Sequence, residues 1–468
     1  MITDRIARFI SETEYTDIPE EALIMAKKGI LDCIGNCLAG KAIPEGQIIL
    51  DYVQDLGGRP EAMVIGVGIR TSPPLAALAN GTLASATNCT DTSLTWNIGH
   101  PTETILPAIL ALGEKYQASG KDLLTSYIVG FEVGSRIGTG FEKHFELGWH
   151  TTATVGTFAS TAAASKILKL DHQKSIMALG IAGSELSGLQ INRRSMTRAL
   201  HSGLASRNGV VAASLALRGM EASSSLFEGS IGLTKLVDGG DGMSLKKAVD
   251  ELGCSFDIIA PGGLCLKFYP CCYMIHRCID AILYLVKEYN IRAQDVSRIK
   301  YRMPRILAET LPSSLPTNGH EASGSISYCL VVAVIDGEIT SKQFTDKMVN
   351  RPQVKELFDR VEYSCPHGDM TTSEAYRKPQ AVTVQLANGK EVTREISYPK
   401  GDIRNPMSIN ECNFKFREYA ERVLGKEATA KVIDIIWGME ELNTVADLTN
   451  LLVAQKGGQM SQPEIFFN

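Results

Sequence analysis

The sequence predicts a mainly α protein with an α+β second domain: a large all-helical domain built from both chain ends and a smaller α+β domain inserted between them. Three observations carry this. From residue 4 to about 265 the text is helical in period and rich in Ala, Gly and Ser. After about 266 it turns to two-residue alternation, the period of strands. Beyond "YPKGDIRNP" helical text resumes, so the tail returns to the first domain. The boundaries expected are 1–265, 266–402 and 403–468.

The elements follow in order. "MITDRIARFISETEY" places Ile2, Ile6 and Ile10 at helical spacing. "EEALIMAKKGILDCIGNCLAG", "PPLAALANGTLASATNC", "TTATVGTFASTAAASKILKL" and "GVVAASLALRGM" carry small residues at helical intervals, which lets helices approach closely. Gly40 and Gly219 read as glycines just past helix ends, and Asp171 as the end of another segment. Strands are expected in "VSRIKYRMP", with Val296, Arg298 and Lys300 opposite Ile299 and Tyr301, and in "VEYSCP". "AVTVQLANGKEVTREISY" reads as a hairpin with a primed turn at Asn388-Gly389. Helices are expected at about 272–289 and 323–335, and in "FKFREYAERVLG" and "TVADLTNLLVAQ".

The chain has 468 residues, 44% hydrophobic and 21% charged, the composition of a folded globular protein. A net charge of −5 excludes a sequence-independent nucleic-acid binder, which needs a basic face. No apolar run reaches spanning length, and the charged N-terminus lacks the form of a signal peptide, so a cytoplasmic protein is expected. The eleven Cys are scattered. Cys271, Cys272 and Cys278 match neither zinc nor iron–sulfur spacing and read as packed thiols. "GVGIRTS" lacks the third Gly and the following helix of a dinucleotide loop. No metal and no organic cofactor is expected. The apolar, small-residue helix faces exceed what one bundle must bury, which points to a homodimer.

Chemistry concentrates in four places. In "CTDTSLTWNIGHPTETILPAIL", His100 precedes Pro101 and Glu103 at the start of a helix. A helix N-terminus offers free N–H groups and partial positive charge to an anion. "ELGWHTTATVG" places His150 in the same way, just ahead of a Thr-capped helix. Either His alone reads as an ordinary helix-end residue; two placed alike suggest an acid–base pair. "NRRSMTRALHSGLASRNG" carries Arg193, Arg194 and Arg198, of which Arg198 reads as a carboxylate clamp and the others as a solvated run. In "LCLKFYPCCYMIHRCIDAILYLV", Lys267 could bind a carboxylate, whereas His276 and Asp280, four apart, read as a structural pair. Tyr328 reads as a core aromatic, with a phenol donor as the alternative.

Together these segments resemble the MmgE/PrpD family, whose members include 2-methylcitrate dehydratase, cis-aconitate decarboxylase and iminodisuccinate epimerase. The resemblance rests on "ILDCIGNCLAG", Asp91 with "GHPTETILPAILALGEKYQASGKDLLTSYIVGFEVGSRI", "GWHTTATVGTFASTAAASKILKLD", "SMTRALHSGLASRNGVVAASLALRGM", "LKFYPCCYMIHRCIDA" and "SISYCLVVAVIDG". It implies a metal-free active site in a cleft between two domains of a homodimer, with Asp91, Thr95, His100, His150, Lys267 and Tyr328 as site residues. Arg198 stands where the family usually has Lys, and Cys272 where the decarboxylases have His. Of the acids common before the His-Pro, only Asp91 remains.

The reading that results is a metal-independent lyase, a dehydratase of a small di- or tricarboxylic hydroxy acid such as 2-methylcitrate. His100 and His150 are the acid–base pair, Asp91 tunes one of them, and Tyr328 and Thr95 donate hydrogen bonds. Arg198 and Lys267 hold carboxylates, with Cys272 beside the substrate. The alternatives are an isomerase, epimerase or decarboxylase of a related polycarboxylate, and a catalytically silent binding protein.

Overall fold

Small residues set the packing of the helical part of the chain. The computed structural model describes residues 1–454 except 241, 366, 367, 369 and 371. The side chain of Arg194, Pro366 of "VEYSCP" and Gln455 of "TVADLTNLLVAQ" lie outside the described residues. The chain forms two compact units, Met1–Leu266 with the segment from Ser408, and Lys267–Met407. The fold is mainly helical with one small mixed sheet, as the sequence predicts.

The first unit opens with α1 (Ile2–Glu12), α2 (Glu20–Gly40), α3 (Pro44–Leu56) and the two-residue strands β1 (Ala62–Met63) and β2 (Arg70–Thr71). α4 (Pro73–Ala86), α5 (Thr102–Lys115), α6 (Gly120–Gly140), α7 (Thr151–Ile167), α8 (His172–Ser184) and α9 (Thr197–Leu217) follow. α5 is buried on every face from Thr102 to Glu114. It packs against α4, α7 and α9, so its N-terminus opens inside the unit. The Ser160 hydroxyl of α7 donates to the Ala205 carbonyl of α9 at 2.6 Å, a contact that a larger side chain would block. Met1–Leu266 thus depends on glycine and serine at its helix crossings.

Two helix-end readings change. Gly219 follows α9 with φ +92°, the left-handed conformation glycine adopts at no steric cost. Gly40 instead closes α2 in ordinary helical geometry; a Cβ there would lie 1.9 Å from the Leu83 carbonyl oxygen of α4. Its role is close approach. Asp171 opens α8 rather than ending α7, its carboxylate accepting from the Lys174 N–H at 2.8 Å.

From Ser408, which caps it together with Glu411, the chain runs through a long helix, Ile409–Trp437, kinked at Gly425 (φ +77°). This helix packs on α2. Its Lys415 pairs with Asp32 of α2 at 2.6 Å and donates to the Cys89 carbonyl at 3.1 Å. Among the described residues the tail then forms a short 3-10 turn, Met439–Glu441, and an α-helix, Val445–Thr449.

The second unit is built on a four-stranded sheet in the order β4-β3-β5-β6, with β3 (Val296–Arg302), β4 (Val361–Ser364), β5 (Gln380–Leu386) and β6 (Glu391–Ile396). β4 runs parallel to β3, while β5 is antiparallel to both its neighbours. The helix His276–Tyr289 covers β5 and β6, and Ile326–Asp336 packs on that helix. Two strand readings are corrected. A register shift between Val296 and Arg298 buries both Val296 and Ile299, which strict alternation would have put on opposite faces. The hairpin turn is not primed: the Gly389 N–H donates to the Leu386 carbonyl, and only Gly389 takes a left-handed φ, +85°. The Asn388 side chain accepts from the Lys390 N–H instead, the pattern of an ordinary turn closed by a glycine bulge. Among the described residues no helix is long and apolar enough to cross a membrane.

Gly40→Ala should destabilise the protein by about 1–3 kcal/mol, the cost of overpacking a dense crossing. The added methyl meets backbone, which cannot rotate away. A urea melt with unchanged midpoint would show that α2 and α4 can separate without loss.

Candidate functional site

The loop between α4 and α5 is held from several sides before it delivers His100. Thr92 and Cys265 exchange backbone hydrogen bonds at 2.8 and 2.9 Å, and the Ser93 N–H donates to the Gly99 carbonyl at 3.0 Å. Trp96, fully buried, donates its indole N–H to the Phe131 carbonyl of α6 at 3.0 Å. Inside this frame Asn97 and Ile98 take left-handed φ values of +48° and +66°. That conformation strains a β-branched residue such as Ile98, and strain of this kind concentrates at functional sites.

His100 lies one residue ahead of Pro101, which caps α5. Its Nδ1 is 2.7 Å from the Asp91 carbonyl oxygen, and its backbone N–H donates to the Thr152 hydroxyl of α7 at 3.2 Å. A carbonyl can only accept, so Nδ1 carries the proton and the neutral ring keeps its lone pair on Nε2. The Asp91 carboxylate turns the other way and accepts from the Thr102 N–H at 3.3 Å. Burial, with Glu103 and Asp32 nearby, pushes the Asp91 carboxyl up to about 8. Burial and the neighbouring acids thus favour its protonated form.

Glu103, which the sequence marks only as a helix-start acid, is fully buried. It accepts hydroxyl donors from Ser85 at 2.9 Å, from Thr90 and from Ser202 at 2.5 Å, tying α4 and α9 to the mouth of α5. Thr95 pairs with Ser93, hydroxyl to hydroxyl at 2.8 Å.

His150 itself caps α7, without a side-chain capping bond; the expected Thr cap is not used. Its backbone N–H donates to the Gly188 carbonyl at 3.0 Å, while the Gln190 N–H returns to the Gly148 carbonyl at 2.8 Å. This clasp brings the segment ahead of α9 against the start of α7. As a result His150 meets His201, Nδ1 to Nδ1 at 2.9 Å. Arg198, one turn earlier on α9, donates to the Ser85 carbonyl at 3.2 Å. Burial, followed by the Arg198 charge, lowers both histidines below the usual range, His150 the further. His144, held by the Thr154 hydroxyl at 2.6 Å, is lowered to about 4 by burial.

In the α+β unit, Lys267 is buried, and Cys272 is half-buried with its backbone N–H on the Ser323 carbonyl at 2.9 Å. Tyr328 is fully buried and donates its hydroxyl proton to the Gln343 carbonyl. That proton is engaged within the α+β unit. Asp280 accepts from the Tyr269 hydroxyl at 2.6 Å and the Lys400 N–H at 2.7 Å, and His276 lies against the rings of Tyr269 and Tyr273. Cys278 donates to Gln380 at 3.3 Å. Among the described residues no three His, Cys, Asp or Glu side chains group as metal ligands would.

The structure thus brings together Asp91 with His100, and His150 with Arg198 and His201. The sequence reading assigned no role to His201, although its spacing three residues after Arg198 on a helix was the available clue.

The buried acids fix a pH dependence. A carboxyl whose folded pKa exceeds its unfolded value stabilises the protein at low pH and loses that contribution as pH rises through the folded pKa. Asp91, and Glu132 pushed up to about 7 by burial and Asp257, behave so. The lowered histidines act the other way: they add stability as pH rises through their ordinary value of 6.5, an increase that fades within about a pH unit above it and offsets part of the fall from the acids. Stability should fall from pH 6.5 to 8, and Asp91→Asn should remove roughly 1–2 kcal/mol of that fall. Denaturant titrations at the two pH values measure it; equal falls in both proteins would mean that Asp91 is ionised throughout.

Residues 4–246 match the MmgE/PrpD N-terminal domain and residues 269–441 the MmgE/PrpD C-terminal domain. The cis-aconitate decarboxylase of Homo sapiens is 29% identical, over 100% of this chain and 96% of its own length. That of Aspergillus terreus is 27% identical over 96% of both chains. The cis-aconitate decarboxylase of Mus musculus is 27% identical, over 96% of this chain and 93% of its own. With both domain models matched in order along nearly its whole length, the chain belongs to the MmgE/PrpD family.

Proposed function

We propose that this chain is a lyase that decarboxylates a small unsaturated polycarboxylate of the cis-aconitate type. The end-to-end similarity to cis-aconitate decarboxylases carries this reading and supports an enzyme over a silent binding protein. It also reverses the order expected from sequence, where dehydration came first and decarboxylation stood among the alternatives. The buried imidazoles and Arg198 support it chemically.

Decarboxylation breaks the bond from carbon to a carboxylate, and the electron pair stays on that carbon, conjugated with the remaining double bond and carboxylate. Fixed cations stabilise this charge most where water is excluded. Arg198 supplies one at the start of α9. A neutral or protonated histidine then delivers the proton that the carbanion needs. His100, fixed through Nδ1 by the Asp91 carbonyl, accepts a proton at Nε2 when neutral and can deliver that proton once it is held there. The reading assigns no metal, so dialysis against a strong chelator should leave turnover unchanged.

Dehydration remains the second reading, favoured by Cys272 where the decarboxylases have His. Incubation in deuterated water separates them. Cis-aconitate should release CO2 with one solvent deuteron fixed per turnover. Water loss from 2-methylcitrate without CO2 would replace decarboxylation by dehydration, and exchange alone would indicate an isomerase. We also propose a homodimer, supported by exposed Ile191, Ile231 and Leu236; a monomer by light scattering at micromolar concentration would refute it.

Arg198→Lys should retain part of the activity, because charge survives while the planar fork is lost. Arg198→Ala should chiefly raise KM. His100→Ala should instead lower kcat by about a hundredfold or more. Unchanged kcat for His100→Ala would remove it from the chemistry.

A further inference from the structure

The contact between His150 and His201 joins like nitrogen to like, and this restricts where protons can be. At 2.9 Å between Nδ1 atoms, one ring must donate and the other accept. A neutral imidazole has a single N–H. If His150 donates, its Nε2 is bare and His201 carries its proton on Nε2; if His201 donates, the reverse holds. Neither Nε2 belongs to the buried, unpartnered side-chain atoms, whereas Nδ1 of His144 does.

We propose that His150 and His201 form a proton relay: one proton shared between the two Nδ1 atoms keeps one Nε2 protonated and the other bare. The inference rests on the lyase reading and assigns His201 a task within it. Starting with His201 as donor, His150 passes its Nε2 proton to the substrate carbanion, whose electron pair becomes the new C–H bond. The shared proton moves from His201 Nδ1 to His150 Nδ1, and His201 takes a proton from water at Nε2. One proton enters and one leaves, which matches the single proton that decarboxylation consumes. The pair is left with inverted tautomers, and ring rotation or return of the protons through the same path resets it.

The surroundings favour a neutral pair. Arg198 faces both rings, Arg193 and His144 face His150, and burial opposes charge on either ring. Two imidazolium rings would set N–H against N–H. The backbone holds the geometry: the His150 N–H is fixed on Gly188, and its carbonyl accepts from the Ala153 and Thr154 N–H groups at 2.9 and 3.2 Å. His201 lies within α9, whose Ser202 is anchored on Glu103.

The test uses the full-length protein with nitrogen-15-labelled histidine and the variants His201→Asn and His201→Phe. Asn keeps a hydrogen-bonding atom near the position of Nδ1 but has no second ring nitrogen; Phe keeps only the bulk. In the wild type, ring-nitrogen spectra should show His150 and His201 as opposite tautomers. Finding both as the same tautomer overturns the relay, whatever the substrate. With cis-aconitate, both variants should lose about tenfold or more in kcat with KM within a few-fold, as expected for impaired proton transfer. A proton inventory should pass from two protons in motion to one. Full kcat in His201→Asn would mean that His201 only positions His150, and the relay falls. If Phe fails to fold, the Asn variant and the wild-type spectra still decide. Opposite tautomers in a protein that turns over no polycarboxylate would instead overturn the lyase reading and leave the paired tautomers standing.

Discussion

Asp32, Asp91 and Glu103 come from three segments of the helical unit and are buried within electrostatic reach of one another. Three ionised carboxylates so placed would repel strongly where little water screens them. The fold answers each differently. Lys415 neutralises Asp32, hydroxyl donors surround Glu103, and Asp91 keeps its proton. The helix crossings around α5 and the loop carrying His100 are arranged about this cluster.

A second constraint follows from the first. With Asp91 neutral, its carbonyl rather than its carboxylate orients His100, so the ring gains a fixed tautomer without a full negative charge beside it. On α7 and α9 the bias has the opposite sign. Burial, followed by the Arg198 charge, holds both imidazoles below their ordinary range.

Local pattern made much of this legible. The change from helical period to alternation marked the α+β segment, and the His-Pro and Trp-His sequences marked two helix starts. What failed depended on partners distant in the chain. Gly40 resembles a helix stop, yet its neighbour is the Leu83 backbone. Val296 and Ile299 break strict alternation because a bulge shifts the register. His201 sits in an unremarkable helical segment, and it meets His150 through the packing of α9 on α7 and the backbone bonds from His150 to Gly188 and from Gln190 to Gly148. Asp91 could be singled out from sequence, but its retained proton depends on Glu103 and Asp32, whose proximity no spacing encodes.

The link from Lys415 to the Cys89 carbonyl spans 326 residues of chain. During synthesis the loop bearing Asp91 and His100 leaves the ribosome long before its cationic anchor is made. Until the helix beginning at Ile409 arrives, Asp32 has no Lys415 to offset its charge. The nascent helical unit must therefore wait for this one anchor, with the loop held by its contacts to Cys265 and Phe131, while residues 267–407 are translated. A ribosome that stops within the inserted segment releases a chain in which Asp32 and the Cys89 carbonyl never meet Lys415.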